Sequence, residues 1–159
     1  MEEILKLLRK DARLSNAEIA RRLGRTEEEV AERMAQLEKE KVILGTHAIL
    51  NPDKIKDAGL IGIIEVKLTP ERESGFDAIA QRIYNFPEVR LCYLISGSYD
   101  LLVFVEGETL QDVAMFVAQK LAPIAHVNST ATHFILKKYK EDGIILSDPQ
   151  SSERLPISF

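Results

Sequence analysis

The most constraining feature of this sequence is a pattern that occurs twice between residues 60 and 137: an apolar strand, an amphipathic helix and a second apolar strand. The two copies meet at a hairpin, in which the apolar runs Val89–Ile95 and Leu101–Val105 flank a polar tip rich in hydroxyl groups. Two strand-helix-strand units joined by a hairpin predict a ferredoxin-like βαββαβ sandwich. The fold class expected for this part of the chain is therefore α+β.

The boundaries of these elements follow from local signals. We expect a first strand at Leu60–Leu68 and a last strand at about Ser129–Lys137. Each helix should begin with a capping box, in which a hydroxyl residue stands three positions before a carboxylate. The two boxes are Ser74 with Asp77 and Thr109 with Asp112.

Several strands carry apolar side chains on both faces, as in Ile61 and Ile63 against Ile64 and Val66. Helices cover only one face of a βαββαβ sheet, so the other face would expose a large apolar patch. We expect a second copy of the chain to cover it, which predicts a homodimer. The alternative is that the apolar residues of the tail, 141–159, fold back over the sheet.

Residues 1–50 predict three helices, over 4–14, over 17–23 and from Thr26 onward. Ser15 or Asn16 should cap the second helix, Gly24 should end it, and Thr26 with Glu29 should form a capping box for the third.

Ala20, Gly24 and Val30 have the spacing of a helix-turn-helix: a small residue between the helices, a glycine in the turn and an apolar plug. The alternative is a three-helix core that binds nothing. Val42–Leu44 and Thr46–Leu50 resemble a short strand or ribbon in the position of a wing. The sequence therefore predicts a winged helix-turn-helix domain.

The composition limits the possible classes of protein. The chain has 159 residues and a formal net charge of −4, so any DNA-binding surface must be local. No apolar run has the length of a membrane span, and Met1-Glu2-Glu3 does not resemble a signal peptide. Cys92 is the only cysteine, which excludes an intrachain disulfide and fits a reducing, cytoplasmic location.

In this order, the motifs resemble the Lrp/AsnC (feast/famine) family of prokaryotic transcription regulators, over about residues 2–140. The matching segments are Ile4–Leu8, Asp11–Ser15, Glu18–Ala20 with Leu23-Gly24, Arg33–Glu38 with Val42-Ile43, and Gly97–Asp100.

The resemblance implies a domain plan and a set of partners. Residues 1–50 would form the DNA-binding domain, 51–59 the linker, 60–140 the effector-binding and oligomerisation domain, and 141–159 a C-terminal tail. The partners would be double-stranded DNA, a second copy of the chain in dimers that assemble into tetramers or octamers, and a small effector, commonly an amino acid. The effector would bind between dimers near the central hairpin.

Candidate effector contacts lie at the hairpin tip. Backbone amides near Gly97 and the hydroxyls of Ser96 and Ser98 can hold a carboxylate, and Asp100 can pair with an ammonium. Tyr99 and, in the last strand, Thr132 are further candidates. The alternative is that these residues only build the turn and that Tyr99 packs at a subunit contact.

The candidate DNA-binding residues surround the start of the third helix. They are Arg21, Arg22, Arg25, Thr26, Glu28, Glu29 and Arg33. Residues 1–50 contain ten Lys or Arg and ten Asp or Glu, which is a weak electrostatic signal for DNA. The glutamates of the first turn either stabilise the helix dipole or accept hydrogen bonds from cytosine. We therefore expect weak non-specific affinity.

No catalytic constellation stands out, and we expect neither a cofactor nor a metal. The histidines, His47, His126 and His133, lack metal-ligand spacing. One alternative is an enzyme, because siroheme decarboxylases resemble the same two-domain plan. Another is a co-regulator that does not bind DNA and forms mixed oligomers with a basic paralogue.

Overall fold

The computed structural model describes residues 2–56, 58–69 and 75–146. The chain divides into two compact units, Met1–Ile49 and Leu50–Phe159. The first unit contains the helices α1 (Glu3–Leu8), α2 (Asn16–Leu23) and α3 (Glu27–Lys39). These helices bury one small core, formed by Ile4, Ile19, Ala20, Val30 and Leu37.

Both helices of the helix-turn-helix begin as predicted, and α2 also ends as predicted. Ser15 and Glu18 form a capping box at α2, and Thr26 and Glu29 form another at α3. Gly24 ends α2 with a φ of +64°, in the left-handed region that glycine adopts without strain. Ala20 and Val30 are both buried beside this turn, so the predicted small residue and apolar plug are confirmed.

Two predictions for this unit were wrong. Helix α1 ends at Leu8 and does not continue to residue 14, because the Asp11 side chain accepts a hydrogen bond from Arg13 N and favours a turn. Residues 42–50, all of which the structure describes, form no strand, so the predicted wing ribbon is not formed in the single chain. Instead, Val42 N and Ile43 N donate to the carbonyl of Leu37 and close the end of α3.

The second unit contains a four-stranded antiparallel sheet in the order β2-β3-β1-β4, which is the ferredoxin-like arrangement. Its elements are a 3-10 turn (Pro52–Lys54), β1 (Leu60–Leu68), α4 (Asp77–Tyr84), β2 (Val89–Leu94), β3 (Leu101–Gly107), α5 (Leu110–Phe116), a π turn (Val117–Leu121), β4 (Val127–Phe134), β5 (Lys140–Glu141) and β6 (Ile144–Ile145). The predicted βαββαβ order is confirmed.

Helices α4 and α5 pack on one face of the sheet. On that face β1 and β3 contribute alternate residues, among them Ile64, Val66, Leu101 and Val103, to a core in which all four are buried. Gly62 also lies on this face, because a Cβ atom there would come within 2.6 Å of Val113 Cγ1 of α5. The other face is not covered by these helices.

Several details of this unit differ from the expectations. Ser74 lies outside the described residues, and α4 begins at Asp77 after Phe76, which makes no side-chain capping bond. The last strand is Val127–Phe134 and not 129–137. The tail begins with the small β5–β6 hairpin, and Asn51, in the predicted linker, donates its side-chain amide to the carbonyl of Leu146 at 3.1 Å.

Within the described ranges, no helix combines the length and the apolar character that crossing a membrane requires.

Candidate nucleic-acid interface and effector site

Three exposed arginines surround the turn between α2 and α3. Arg21 and Arg22 occupy the last turn of α2, and Arg25 stands directly before the N-cap of α3. Because α2 ends where α3 begins, these three arginines lie near the N-terminal end of α3, which is the second helix of the helix-turn-helix. This is the end that enters a major groove in helix-turn-helix proteins.

Two of the candidate DNA contacts have a structural role. Thr26 Oγ1 accepts a hydrogen bond from Glu29 N at 3.2 Å, and Glu29 Oε2 accepts one from Thr26 N at 2.9 Å. These bonds satisfy amide groups that a helix start leaves without partners. Glu28 and Glu29 were the two acids predicted to contact bases. Glu29 belongs to the capping box, whereas Glu28 is exposed and lies outside it.

Arg33 has a protein partner. Its Nε and Nη2 atoms donate to the two carboxylate oxygens of Glu2 at 2.8 and 2.9 Å, in the bidentate geometry that suits a guanidinium. This hydrogen bonding lowers the pKa of Glu2 and raises the pKa of Arg33. The sequence suggested a DNA contact at Arg33, and it gave no signal for this pairing with Glu2.

The hairpin tip is attached to β1 through Asp100. Asp100 N donates to the carbonyl of Val66 at 3.0 Å, and Asp100 Oδ2 accepts from Leu68 N at 2.7 Å. Ile95 N closes the loop by donating to the carbonyl of Asp100. One carboxylate oxygen of Asp100 therefore helps to build the turn, as the alternative to effector binding expects.

The rest of the tip is open. Ser96, Gly97 and Ser98 are exposed, and Tyr99 is half-buried. Gly97 does not adopt a positive φ, and a Cβ atom on it would meet nothing within 4 Å. The single chain therefore has no steric need for glycine here.

Thr132 is not at the tip. It lies half-buried in β4, on the helix-covered face, directly opposite Ile64 of β1. β1 thus separates it from the β2–β3 hairpin in the sheet. The structure places the other five effector candidates together and Thr132 apart from them.

The uncovered face of the sheet is largely apolar. Residues directly opposite in neighbouring strands share a face, so the strand register gathers apolar side chains from all four strands on this side. These side chains are Ile61, Ile63, Leu91, Tyr93, Leu102, Phe104 and Ala131. Leu91 and Tyr93 are 43% and 48% exposed in the single chain.

A surface groove of about 330 Å³ lies beside α5, and the sequence gave no indication of it. Its charged groups already have partners: Glu88 with Lys120, Glu106 with Arg90, and Asp112 with the N-cap Thr109. The hydrogen bond from Lys120 lowers the pKa of Glu88. These pairs leave one carboxylate oxygen of the groove, Glu88 Oε2, buried without a hydrogen-bond partner among the described residues.

The described residues contain no group of three or more His, Cys, Asp or Glu side chains that could hold a metal ion.

A helix-turn-helix unit followed by a ferredoxin-like domain is a plan used by transcription regulators with a ligand-binding domain, and the matching family models assign the chain to that class. Residues 2–38 match the AsnC-type helix-turn-helix domain, and residues 61–145 match the Lrp/AsnC ligand binding domain. The chain belongs to the Lrp/AsnC family of transcriptional regulators.

Two curated relatives and one solved structure illustrate the similarity. The chain is 43% identical to the uncharacterized HTH-type transcriptional regulator YugG of Bacillus subtilis, over 98% of this chain and 95% of the relative. It is 30% identical to the proline dehydrogenase transcriptional activator of Rhizobium radiobacter, over 89% and 90%. The transcriptional regulator NMB0573 of Neisseria meningitidis, solved with L-Met, has a TM-score of 0.71 and 24% identity, covering 95% and 97% of the two chains. The last similarity concerns the fold alone.

Proposed function

We propose that this protein is a sequence-specific DNA-binding transcriptional regulator that works as a homodimer and responds to an amino acid bound beside the hairpin tip. The observation that carries the proposal is the group of exposed arginines, Arg21, Arg22 and Arg25, at the turn of a helix-turn-helix with two capping boxes. A dimer presents this group twice, which offsets the lack of net positive charge in the unit.

Selection of bound genomic fragments, with and without a panel of free amino acids, tests DNA binding. On a selected fragment, Arg21→Ala and Arg25→Ala should each weaken binding. If each arginine contacts one phosphate per protomer, each variant should also reduce the salt slope of the dimer by about 1.8. Lys39→Ala is the control, because Lys39 is exposed at the far end of α3, about 18 Å away along the helix. Equal losses in all three variants would contradict the proposed surface.

The apolar sheet face supports the homodimer. An apolar patch that includes the exposed Leu91 and Tyr93 and the half-buried Phe104 is unfavourable in water, and a second copy of the same face would cover it. Sedimentation of the full chain at micromolar concentration should give a dimer or a multiple of it. A monomer at all concentrations would contradict this part of the proposal.

The open hairpin tip supports the effector site. Ser96, Gly97 and Ser98 present hydroxyl and amide groups to solvent, while Asp100 anchors the loop that carries them. A solved structure with this fold, NMB0573, was obtained with L-Met, which makes amino acids the first ligands to test. Isothermal titration should find at least one amino acid that binds the wild type. The Ser96→Ala/Ser98→Ala variant should no longer bind that amino acid.

The two alternatives remain open to direct measurement. A Soret band or uptake of siroheme by the purified protein would favour the decarboxylase-like enzyme. A mobility shift that appears only when a basic paralogue is added would favour the co-regulator. We infer a non-catalytic role because the family models that match the chain and the relatives it resembles are those of transcriptional regulators.

A further inference from the structure

A carboxylate lies in the middle of the uncovered sheet face. Glu65 belongs to β1, which is an inner strand, and stands directly opposite Leu102 of β3 and Ala131 of β4. Ile63 precedes it on the same face. A partner that covers the apolar side chains of this face must therefore cover Glu65 as well.

Glu65 has one ionisable partner in the neighbouring strand. His133 of β4 brings its Nε2 atom to 3.4 Å from Glu65 Oε1. In the single chain the side chains of His133 and Glu65 are 58% and 36% exposed, so water still solvates both. A second copy packed on the face would remove much of that water.

The number of protons on this pair decides how well it tolerates burial. Without an added proton, the pair consists of a carboxylate and a neutral imidazole and carries a net charge of −1. An uncompensated charge is far more costly to cover than a neutral pair or an ion pair. One proton removes the net charge whether it sits on the imidazole or on the carboxyl group. Covering the pair therefore favours proton uptake in either arrangement.

The other charged and titratable groups near this face lie at its edges or have partners of their own. Lys67, the next residue on the same face of β1, is exposed at the end of the strand, where its amine can remain in water. Glu106 of β3 pairs with Arg90 of β2 at 3.2 Å. Tyr93 of β2 lies on the same face and packs its ring edge-on against Phe104 of β3. Beyond β4, Lys137 lies over the ring of Tyr139.

We propose that closing this sheet face against a second copy takes up protons at the Glu65–His133 pair, so that the homodimer is stronger in mildly acidic than in alkaline solution. The inference rests on the proposed dimer and adds to it a dependence on pH. Histidine is the side chain whose charge ordinarily changes between about pH 5 and 8, so the effect is tested in the upper part of that range. With at most one proton per protomer, the dissociation constant can change by at most about 100-fold per pH unit.

Sedimentation equilibrium of the full chain at pH 6.5, 7.25 and 8.0, at constant ionic strength, tests the inference. We expect the dimer dissociation constant of the wild type to rise by at least about tenfold over this range. Glu65→Gln should abolish most of the rise and give the tighter dimer at pH 8.0, because no charge remains to be neutralised. His133→Gln should weaken the dimer relative to wild type at pH 6.5, because it leaves the covered carboxylate without its ionisable partner.

His47→Gln is the matched control, since it removes a histidine of the first unit and should keep the dependence on pH. A wild-type dimer whose dissociation constant is flat or falls with pH would overturn the inference and leave the proposed dimer standing. A rise that persists in Glu65→Gln would also overturn the inference and leave the proposed dimer standing. A monomer at every pH would overturn the proposed dimer itself, and the inference with it.

Discussion

Arg33 and Glu2 form a two-point salt bridge that joins the start of α1 to the middle of α3, across 31 residues of sequence. The side chains are about one-third and one-quarter exposed, so the pair is neither fully buried nor loosely held at the surface. Because α3 carries the proposed DNA-contacting turn, this bridge helps to set the position of that helix in the unit. We therefore assign Arg33 a structural role within the proposed function.

Breaking the bridge should destabilise the first unit in a way that depends on pH. The hydrogen bond from Arg33 lowers the pKa of Glu2. The bridge therefore contributes fully to stability above the usual carboxyl pKa of about 4.3. This stabilisation is lost as the pH falls through the lower pKa of the folded state. Glu2→Gln and Arg33→Gln should both lower the thermal midpoint at pH 7, and the difference from wild type should shrink toward pH 3. If Arg33 instead contacts DNA, only Arg33→Gln will weaken binding at temperatures where both variants are folded.

Removing the α3 cap should cost stability. Thr26→Ala deletes the hydroxyl that accepts from Glu29 N, and we expect a loss of about 1 kcal/mol in the free energy of unfolding, measured with urea. Thr26→Ser keeps the acceptor and should stay close to wild type. A Thr26→Ser variant as weak as Thr26→Ala would show that the methyl group, and not the cap, is responsible.

Filling the position of Gly62 should disturb the sandwich. A methyl group there would lie 2.6 Å from Cγ1 of the buried Val113, whose β-branched side chain has little freedom to move. We expect Gly62→Ala to destabilise the second unit by about 1–3 kcal/mol. In Gly62→Ala/Val113→Ala the clash disappears, so the double variant should be more stable than the sum of the single effects predicts. Gly45→Ala, where a Cβ meets nothing within 4 Å, is the control.

Gly97→Ala should separate folding from ligand binding. The single chain has room for a methyl group and no positive φ at this position, so the free energy of unfolding should stay within about 0.5 kcal/mol of wild type. If an effector approaches the backbone here, its affinity should fall by at least about tenfold, or 1.4 kcal/mol. Isothermal titration with the amino acid found in the panel provides the measurement. Unchanged affinity would remove Gly97 from the proposed site.

Neutralising Glu28 should strengthen non-specific DNA binding. Its exposed carboxylate stands in the first turn of α3, near Arg25, where it repels phosphates. Wild-type protein should bind random DNA weakly at physiological salt, and Glu28→Gln should bind about threefold more tightly at low salt, with a smaller gain at high salt. Glu38→Gln, ten residues further along the same helix, controls for the change in net charge. Tight binding of random DNA by the wild type in a filter assay would contradict the expectation.

The order and kind of the elements were accessible from the sequence because their signals are local. A capping box spans four residues, a strand repeats every two, and Gly24 marks a helix end within one turn. Ser15, Thr26 and Thr109 therefore located three helix starts correctly. The predicted wing strand failed for a related reason: Val42 and Ile43 have the composition of a strand, but a strand needs a neighbour, and in the single chain their amides bond to the end of α3.

The sequence alone determined the two-part plan, the helix-turn-helix and the apolar character of both sheet faces, since each follows from residue type and spacing along a short segment. Only the tertiary structure decided which side chains were already engaged: Arg33 by Glu2, Asp100 by the amide of Leu68, and Glu65 by His133. These contacts join residues at least 31 positions apart, so they depend on how the elements pack and not on any local period. The same packing left Arg21, Arg22 and Arg25 exposed at the turn before α3.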